Sequence, residues 1–327
     1  MYSGRLRTDF LYGRRWEVTE FYQRILNNIS NGTLMWGCGN KTELNQRCRY
    51  LEFLYQDVKK NGYKAQEEIS REENDPYKGQ DEITIRIGHD GALLFEDGRH
   101  RLAIAKLLNI DKIPIKVTVR HSKWYQFRQE VIDYASTNRG KLYSPITHPD
   151  LSDIPSTHGE ERFEIIKAHL PIQRGDLLDI GAHWGYFCHK FEEEGFNCYA
   201  IEGDATNVYF LEKLKRAENR KFKIIYGSIF DYRDKANFDV VLAFNIFHHF
   251  LKTEETYYRL IELLNRLDMK VMFFQAHLPD SPQMKGAYRN YDCEEFINFI
   301  LKNSRLTEVK YLSKAKDGRP IYRLQTI

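Results

Sequence analysis

The segment Leu177-Leu178-Asp179-Ile180-Gly181-Ala182-His183-Trp184-Gly185-Tyr186-Phe187 restricts the fold more than any other part of this chain. It reads as an apolar strand that ends in an acid, then turns through glycines straight into a helix. Glycines at such a turn let the backbone approach a bound ligand closely. Around this turn strands and helices alternate. Strands are predicted at Leu177–Ile180, Cys198–Ile201, Ile224–Tyr226, Val240–Phe244 and Lys270–Gln275, with helices after the first, second and fourth. The alternation predicts an α/β fold with a doubly wound, mostly parallel sheet covered by helices on both faces.

The strand ends then nominate a site. Glu202 closes the second strand about twenty residues past the glycines, where an acid accepts hydrogen bonds from both hydroxyls of a ribose. Tyr226-Gly227-Ser228-Ile229-Phe230-Asp231 is a strand end able to border an adenine ring. The buried run Phe238–Phe244 delivers Asn245, His248 and His249 to the same crevice. A nicotinamide dehydrogenase also uses a glycine turn and an acid, but with G-x-G-x-x-G, and here His183 stands at the second glycine.

Together, from Arg162 to the end, these elements resemble the class I, Rossmann-like S-adenosylmethionine-dependent methyltransferases. The resemblance implies that S-adenosyl-L-methionine is held by Asp179, Gly181, His183, Gly185, Glu202, Ser228, Ile229 and Asn245. DNA amino-methyltransferases follow the fourth strand with two prolines and an aromatic; Ile246 and Phe247 do not fit them. Asn245-Ile246-Phe247-His248-His249-Phe250 and the tail Lys316–Tyr322 are similar to the methyltransferase domains of kinase-methyltransferases that terminate surface polysaccharide chains. That likeness implies a small-molecule or glycan substrate.

His248 and His249 are the catalytic candidates. An imidazole titrates near neutral pH and can take a proton from an acceptor hydroxyl. The other reading is that one of them caps the following helix or packs in the core. His183 is expected to orient its loop. No metal site is expected from His183, Cys188, His189, His248 and His249, because no ligand spacing repeats.

Upstream, helices are predicted from Trp16 to Asn28 and from Lys41 to Asn61, and Arg71–Gln80 reads as a loop. Alternation at Ile83, Ile85 and Ile87 marks a strand, followed by a second at Ala92–Phe95, a helix at Arg101–Leu108, a strand at Ile115–Val119 and a helix at Trp124–Ala135. Asp97-Gly98-Arg99-His100-Arg101 sets three cationic side chains around a glycine turn at a helix N-terminus, an arrangement that suits phosphate. Residues 50 to 125 resemble the ParB/sulfiredoxin superfamily, with Arg99 where sulfiredoxins carry a Cys. The resemblance implies phosphate or nucleotide binding, ATP included, at Gly98, Arg99, His100 and Arg101, and allows phosphotransfer as in the free serine kinases of that superfamily. Otherwise the arginines simply pair with nearby acids. His121-Ser122-Lys123-Trp124 either adds to this site or forms a solvated turn with a core Trp.

Three of the nine prolines fall between 138 and 158, which places the boundary there: a smaller α+β domain over 1–145 and the methyltransferase domain over 156–327. The chain has 49 basic and 46 acidic residues, so nothing in its charge makes nucleic acid the main partner. Five cysteines without a C-x-x-C pair argue against a disulfide framework. No apolar run leads the N-terminus or is long enough for membrane insertion, and a cytoplasmic enzyme is expected. Two other readings stay open: a nucleic-acid methyltransferase whose ParB-like domain binds DNA or RNA, and a nucleotide-sensing scaffold with a degenerate methyltransferase fold.

Overall fold

The computed structural model describes residues 15–65, 68–69 and 82–326. The N-terminal run Met1–Arg7 and the expected loop Arg71–Gln80 lie outside them. The described residues form two compact units, one of residues up to 88 with 93–121, the other of residues 89–92 with 122–326.

In the first unit, helix α1 covers Glu20–Ser30 and α2 covers Lys41–Asn61. The helix expected from Trp16 starts four residues later. Thr19 is extended and its hydroxyl accepts the Tyr22 N–H at 3.1 Å, so it caps α1 and confines Trp16–Val18 to a separate 3-10 turn. Tyr22, Leu44, Cys48 and Leu51 bury the facing stripes of the two helices. Strands β1 (Thr84–Ile87), β2 (Leu93–Asp97) and β3 (Lys116–Arg120) form a mixed sheet in the order β2-β1-β3. Helix α3 (Arg99–Leu107) begins at Gly98, whose φ is 90°. A side chain there would also press on the Ile83 backbone, so the turn needs glycine twice over.

The second unit holds a seven-stranded sheet in the order β6-β5-β4-β7-β8-β10-β9. Its strands are β4 (Asp176–Ile180), β5 (Asn197–Glu202), β6 (Lys223–Tyr226), β7 (Asn237–Phe244), β8 (Asp268–Gln275), β9 (Glu308–Lys314) and β10 (Pro320–Gln325). The first five run parallel, while β10 is antiparallel to both β8 and β9. Leu178 and Val241 pack on one face, Leu177, Val240 and Leu242 on the other. This is the period of two that a strand imposes, with both faces apolar because both are covered. The sheet is the expected parallel-rich one. The sequence reading did not include β9 and β10.

Helix α4 (Ser122–Thr137) was assigned by sequence to the N-terminal module, yet it clusters with the second unit. Its aromatic face explains this. Phe127 lies 5.9 Å from Phe210, and Tyr134 lies 4.8 Å from Trp184. Trp124, a candidate for the N-terminal site, is 2% exposed and donates to Asp150 at 2.9 Å within the same unit. The proline-rich stretch after α4 is not slack either. Leu142 and Leu151 are fully buried, and the Leu142 N–H donates to the Pro155 carbonyl at 2.8 Å. The turn residues there shape a packed loop rather than a linker. Among the described residues no helix is long and apolar enough to cross a membrane.

Candidate functional site

The carboxyl ends of β4, β5 and β7 open onto a cavity of about 790 Å³, inside the ~300–1,000 Å³ range of small-molecule sites. Gly181, His183, Glu202, Ser228, Ile229, Asn245, His248 and His249 line it. The sequence candidates from four strand ends therefore meet in one place.

The turn after β4 is tied to β5 by backbone. The N–H groups of Gly181 and Ala182 both donate to the Ile201 carbonyl, at 2.9 and 3.0 Å. Glu202 completes the tie. Its Oε2 accepts the His183 N–H at 2.8 Å and its Oε1 the Asp204 N–H at 2.9 Å. A carboxylate offers about four acceptor positions, so Glu202 is fixed in orientation and still has lone pairs for a ligand's hydroxyls. His183, at the place of the second glycine of G-x-G-x-x-G, adopts φ 52°, the left-handed geometry that favours glycine, and its ring stacks on Trp184 at 5.3 Å. Burial lowers its pKa to about 4, so the ring is neutral.

Two of the sequence candidates do not line the cavity. Asp179 is 3% exposed beneath the turn, and its Oδ2 accepts no hydrogen bond among the described residues. Burial, then the neighbouring Glu202 charge, pushes its pKa up to about 7. Gly185 caps helix α5 (Tyr186–Glu193) at φ 81°, and a Cβ there would enter the Leu211 side chain. Its role is close helix packing.

The residues that follow β7 bring two histidines to the cavity. His248 sits 3% exposed in the short helix α6 (Phe247–Phe250), and its Nε2 has no partner among the described residues. His249 is exposed to the cavity. Burial, with His249, His277 and Arg319 nearby, takes the His248 pKa to about 3. Burial, Lys252 and Arg319 also lower that of His249. Both imidazoles are therefore neutral near pH 7.

Tyr143, Gln283 and Arg319 also line the cavity and were missed by sequence reasoning. Asn245, at φ 54°, links two of them: its Nδ2 donates to the Tyr143 hydroxyl at 2.8 Å and its Oδ1 accepts from Arg319 at 2.6 Å. The partners lie far away in sequence, and only the Lys316–Tyr322 motif hinted at Arg319.

The first unit carries its own cavity of about 530 Å³, lined in part by Trp36, Arg47, Gly98, Arg99, His100 and Arg101. The three expected cations are not equivalent. Arg101 is 6% exposed, donates to the Tyr63 hydroxyl at 3.0 Å and to the Lys64 carbonyl, and sits 3.9 Å from Glu82. His100 accepts the Trp36 indole N–H at 3.1 Å, and burial, Arg47 and Arg99 depress its pKa. Arg99 stays exposed, and α2 adds Arg47, whose guanidinium lies 5.2 Å from the Trp36 ring.

Residues 178–267 match the family model of the methyltransferase domain. Among solved structures, the bifunctional kinase-methyltransferase WbdD is 16% identical with a TM-score of 0.49, over 59% of this chain and 46% of that one. The N-methyltransferase NodS from Bradyrhizobium japonicum WM9 is 14% identical with a TM-score of 0.41, over 51% of this chain and 94% of that one. This chain thus spans less than half of WbdD. No curated protein matches it. Residues 178–267 are thus similar to a methyltransferase domain, and they supply most of the residues that line the strand-end cavity.

Proposed function

We propose that the protein methylates a small-molecule acceptor, glycan-linked or phosphorylated, with S-adenosylmethionine held in the cavity of the second unit. The observation that carries this reading is Glu202, fixed by two backbone N–H groups at the cavity wall with acceptor capacity to spare. In this reading Glu202 accepts the ribose hydroxyls, Ser228 and Ile229 border the adenine, and Asn245 closes the far side. Asp179 supports the turn from below, where its unpartnered oxygen favours a nearby positive charge. When bound, S-adenosylmethionine supplies an electrophilic methyl group on a sulfonium. His249, neutral and facing the cavity, takes the proton of an acceptor hydroxyl.

The first unit, in the same proposal, keeps the character of the ParB/sulfiredoxin superfamily and binds a phosphate-bearing ligand such as ATP at Gly98 and Arg99, with Arg47 opposite. Support comes from the glycine-led start of α3 and the exposed guanidinium beside it. The five unbridged cysteines suit a reducing compartment, and the cytoplasm is proposed as its location.

The test incubates the full chain with methyl-labelled S-adenosylmethionine and separate pools of sugar phosphates, glycans, DNA and RNA. Label in the sugar-phosphate or glycan pool is expected. Label in nucleic acid alone would overturn the acceptor class.

A further inference from the structure

We propose that Arg319 anchors the methyl acceptor, and that the acceptor carries an anionic group which this guanidinium binds. The inference rests on the reading of the cavity as a methyl-transfer site, and it narrows the acceptor to an anion.

Arg319 enters the cavity from the turn between β9 and β10, which the Ala315 N–H closes onto the Arg319 carbonyl at 2.9 Å. Its guanidinium is held along one edge. One Nη donates to Asn245, and Nε lies 3.8 Å from Asp317. The second Nη makes no hydrogen bond among the described residues, and the side chain retains 23% exposure at the cavity. A guanidinium fixed this way presents its remaining N–H donors as a fork, the shape that matches a phosphate or carboxylate.

Charge around it points the same way. Asp317 is the carboxylate nearest Arg319, yet it is shared with Arg162, whose buried guanidinium lies 4.0 Å away. Arg162 Nε and Nη2 have no hydrogen-bond partner among the described residues, so Asp317 does not fully satisfy either arginine. Glu161 faces Lys316 at 3.9 Å. Three cations therefore meet two carboxylates. His158, also beside Asp317, is neutralised by burial and by Arg162. Lys252 adds positive charge beyond His249, while His248 and His277 face Arg319 as neutral rings. Among the described residues that line the cavity Glu202 is the one carboxylate, and it is engaged by the His183 and Asp204 N–H groups. Arg319 is the one guanidinium or ammonium group among the described lining residues, so the part of the cavity around it favours an anion.

The cofactor carries a carboxylate of its own, so the experiment must separate the two occupants. The full chain is saturated with S-adenosylhomocysteine, and inorganic phosphate, methyl phosphate, acetate and neutral glucose are titrated in turn. Calorimetry and thermal shift are read for wild type, Arg319→Lys and Arg319→Gln. At least one anion is expected to bind wild type. The Gln variant should bind it at least ~10-fold more weakly and the Lys variant should lie between, since a charged hydrogen bond is lost. Phosphate against acetate tells which anion is preferred. S-adenosylhomocysteine affinity should stay within ~3-fold in both variants, and the unliganded melting temperature reports folding. Two results overturn the proposal: anion binding that Arg319→Gln leaves intact, which belongs elsewhere, or S-adenosylhomocysteine affinity that falls tenfold or more in a folded variant, which assigns Arg319 to the cofactor's carboxylate. Absence of S-adenosylhomocysteine binding in wild type would instead sink the cofactor reading beneath it.

Discussion

The Glu202 carboxylate accepts the His183 backbone N–H at 2.8 Å, so the acid expected to grip a ribose also fixes the loop that faces it. The bond uses the backbone of His183, not its ring. Replacing His183 by glycine relieves a left-handed φ of 52° and gives up the ring stack on Trp184. We expect His183→Gly to keep S-adenosylhomocysteine affinity within ~3-fold, with stability changed by no more than about 1 kcal/mol. Calorimetry and denaturant unfolding measure both. A loss of tenfold or more would give the imidazole itself a role in binding.

Gly185 tests packing rather than binding. Its φ of 81° and the fully buried Leu211 beside it leave no room for a side chain. Gly185→Ala is expected to lower stability by roughly 1–3 kcal/mol, read as a lower denaturation midpoint with an unchanged slope. Saturating cofactor should recover part of the loss by mass action.

The two histidines differ in how they respond to pH. A base must be neutral to act, so activity falls as pH drops through its pKa. For His249 that value lies below the ordinary 6.5, because burial, Lys252 and Arg319 disfavour the imidazolium. The expected profile is flat across pH 7–8 and declines only on the acid side of 6.5. His249→Ala should lower turnover ~100-fold or more and abolish that limb. His248, near 3, stays neutral throughout, and His248→Ala should keep the limb. A limb that survives in His249→Ala would remove the base role.

Much of the part of the cavity around Glu202 was legible because its parts are local in sequence. A strand, an acid and a glycine turn announce themselves within eleven residues, and Glu202 follows one strand later. Even there, spacing did not separate Gly185, which packs against Leu211, from Gly181, which faces the cavity. The part around Asn245 and Arg319 was illegible for the opposite reason. Tyr143 and Arg319 reach Asn245 across 102 and 74 positions, and no periodicity links such partners. The stretch at 138–158 looked like a linker because prolines and polar residues shape turns whether or not the turns are packed. Among the three cationic neighbours of Gly98, sequence could not tell that Arg101 is spent on Tyr63 and Lys64.

That last distinction gives a paired prediction for the first unit. Arg101→Ala removes a buried guanidinium and its charged hydrogen bonds to half-buried partners, and should destabilise the protein by about 2–3 kcal/mol. Arg99→Ala, at an exposed position, should leave stability within about 0.5 kcal/mol while weakening ATP or phosphate binding several-fold. Unfolding curves and nucleotide titrations separate the two. Equal loss of ligand affinity at both positions, with stability intact, would return Arg101 to the binding site.

The central claim is that the strand-end cavity holds S-adenosylmethionine through Glu202. Titration of the full chain with S-adenosylhomocysteine by calorimetry, wild type against Glu202→Ala, addresses it most directly. Wild type should show a single site, and the variant should bind at least ~10-fold more weakly, because each hydrogen bond to the charged acceptor is worth roughly 1.5–3 kcal/mol. Circular dichroism confirms that the variant is folded. Affinity in Glu202→Ala equal to wild type would contradict the account and move the cofactor away from this carboxylate.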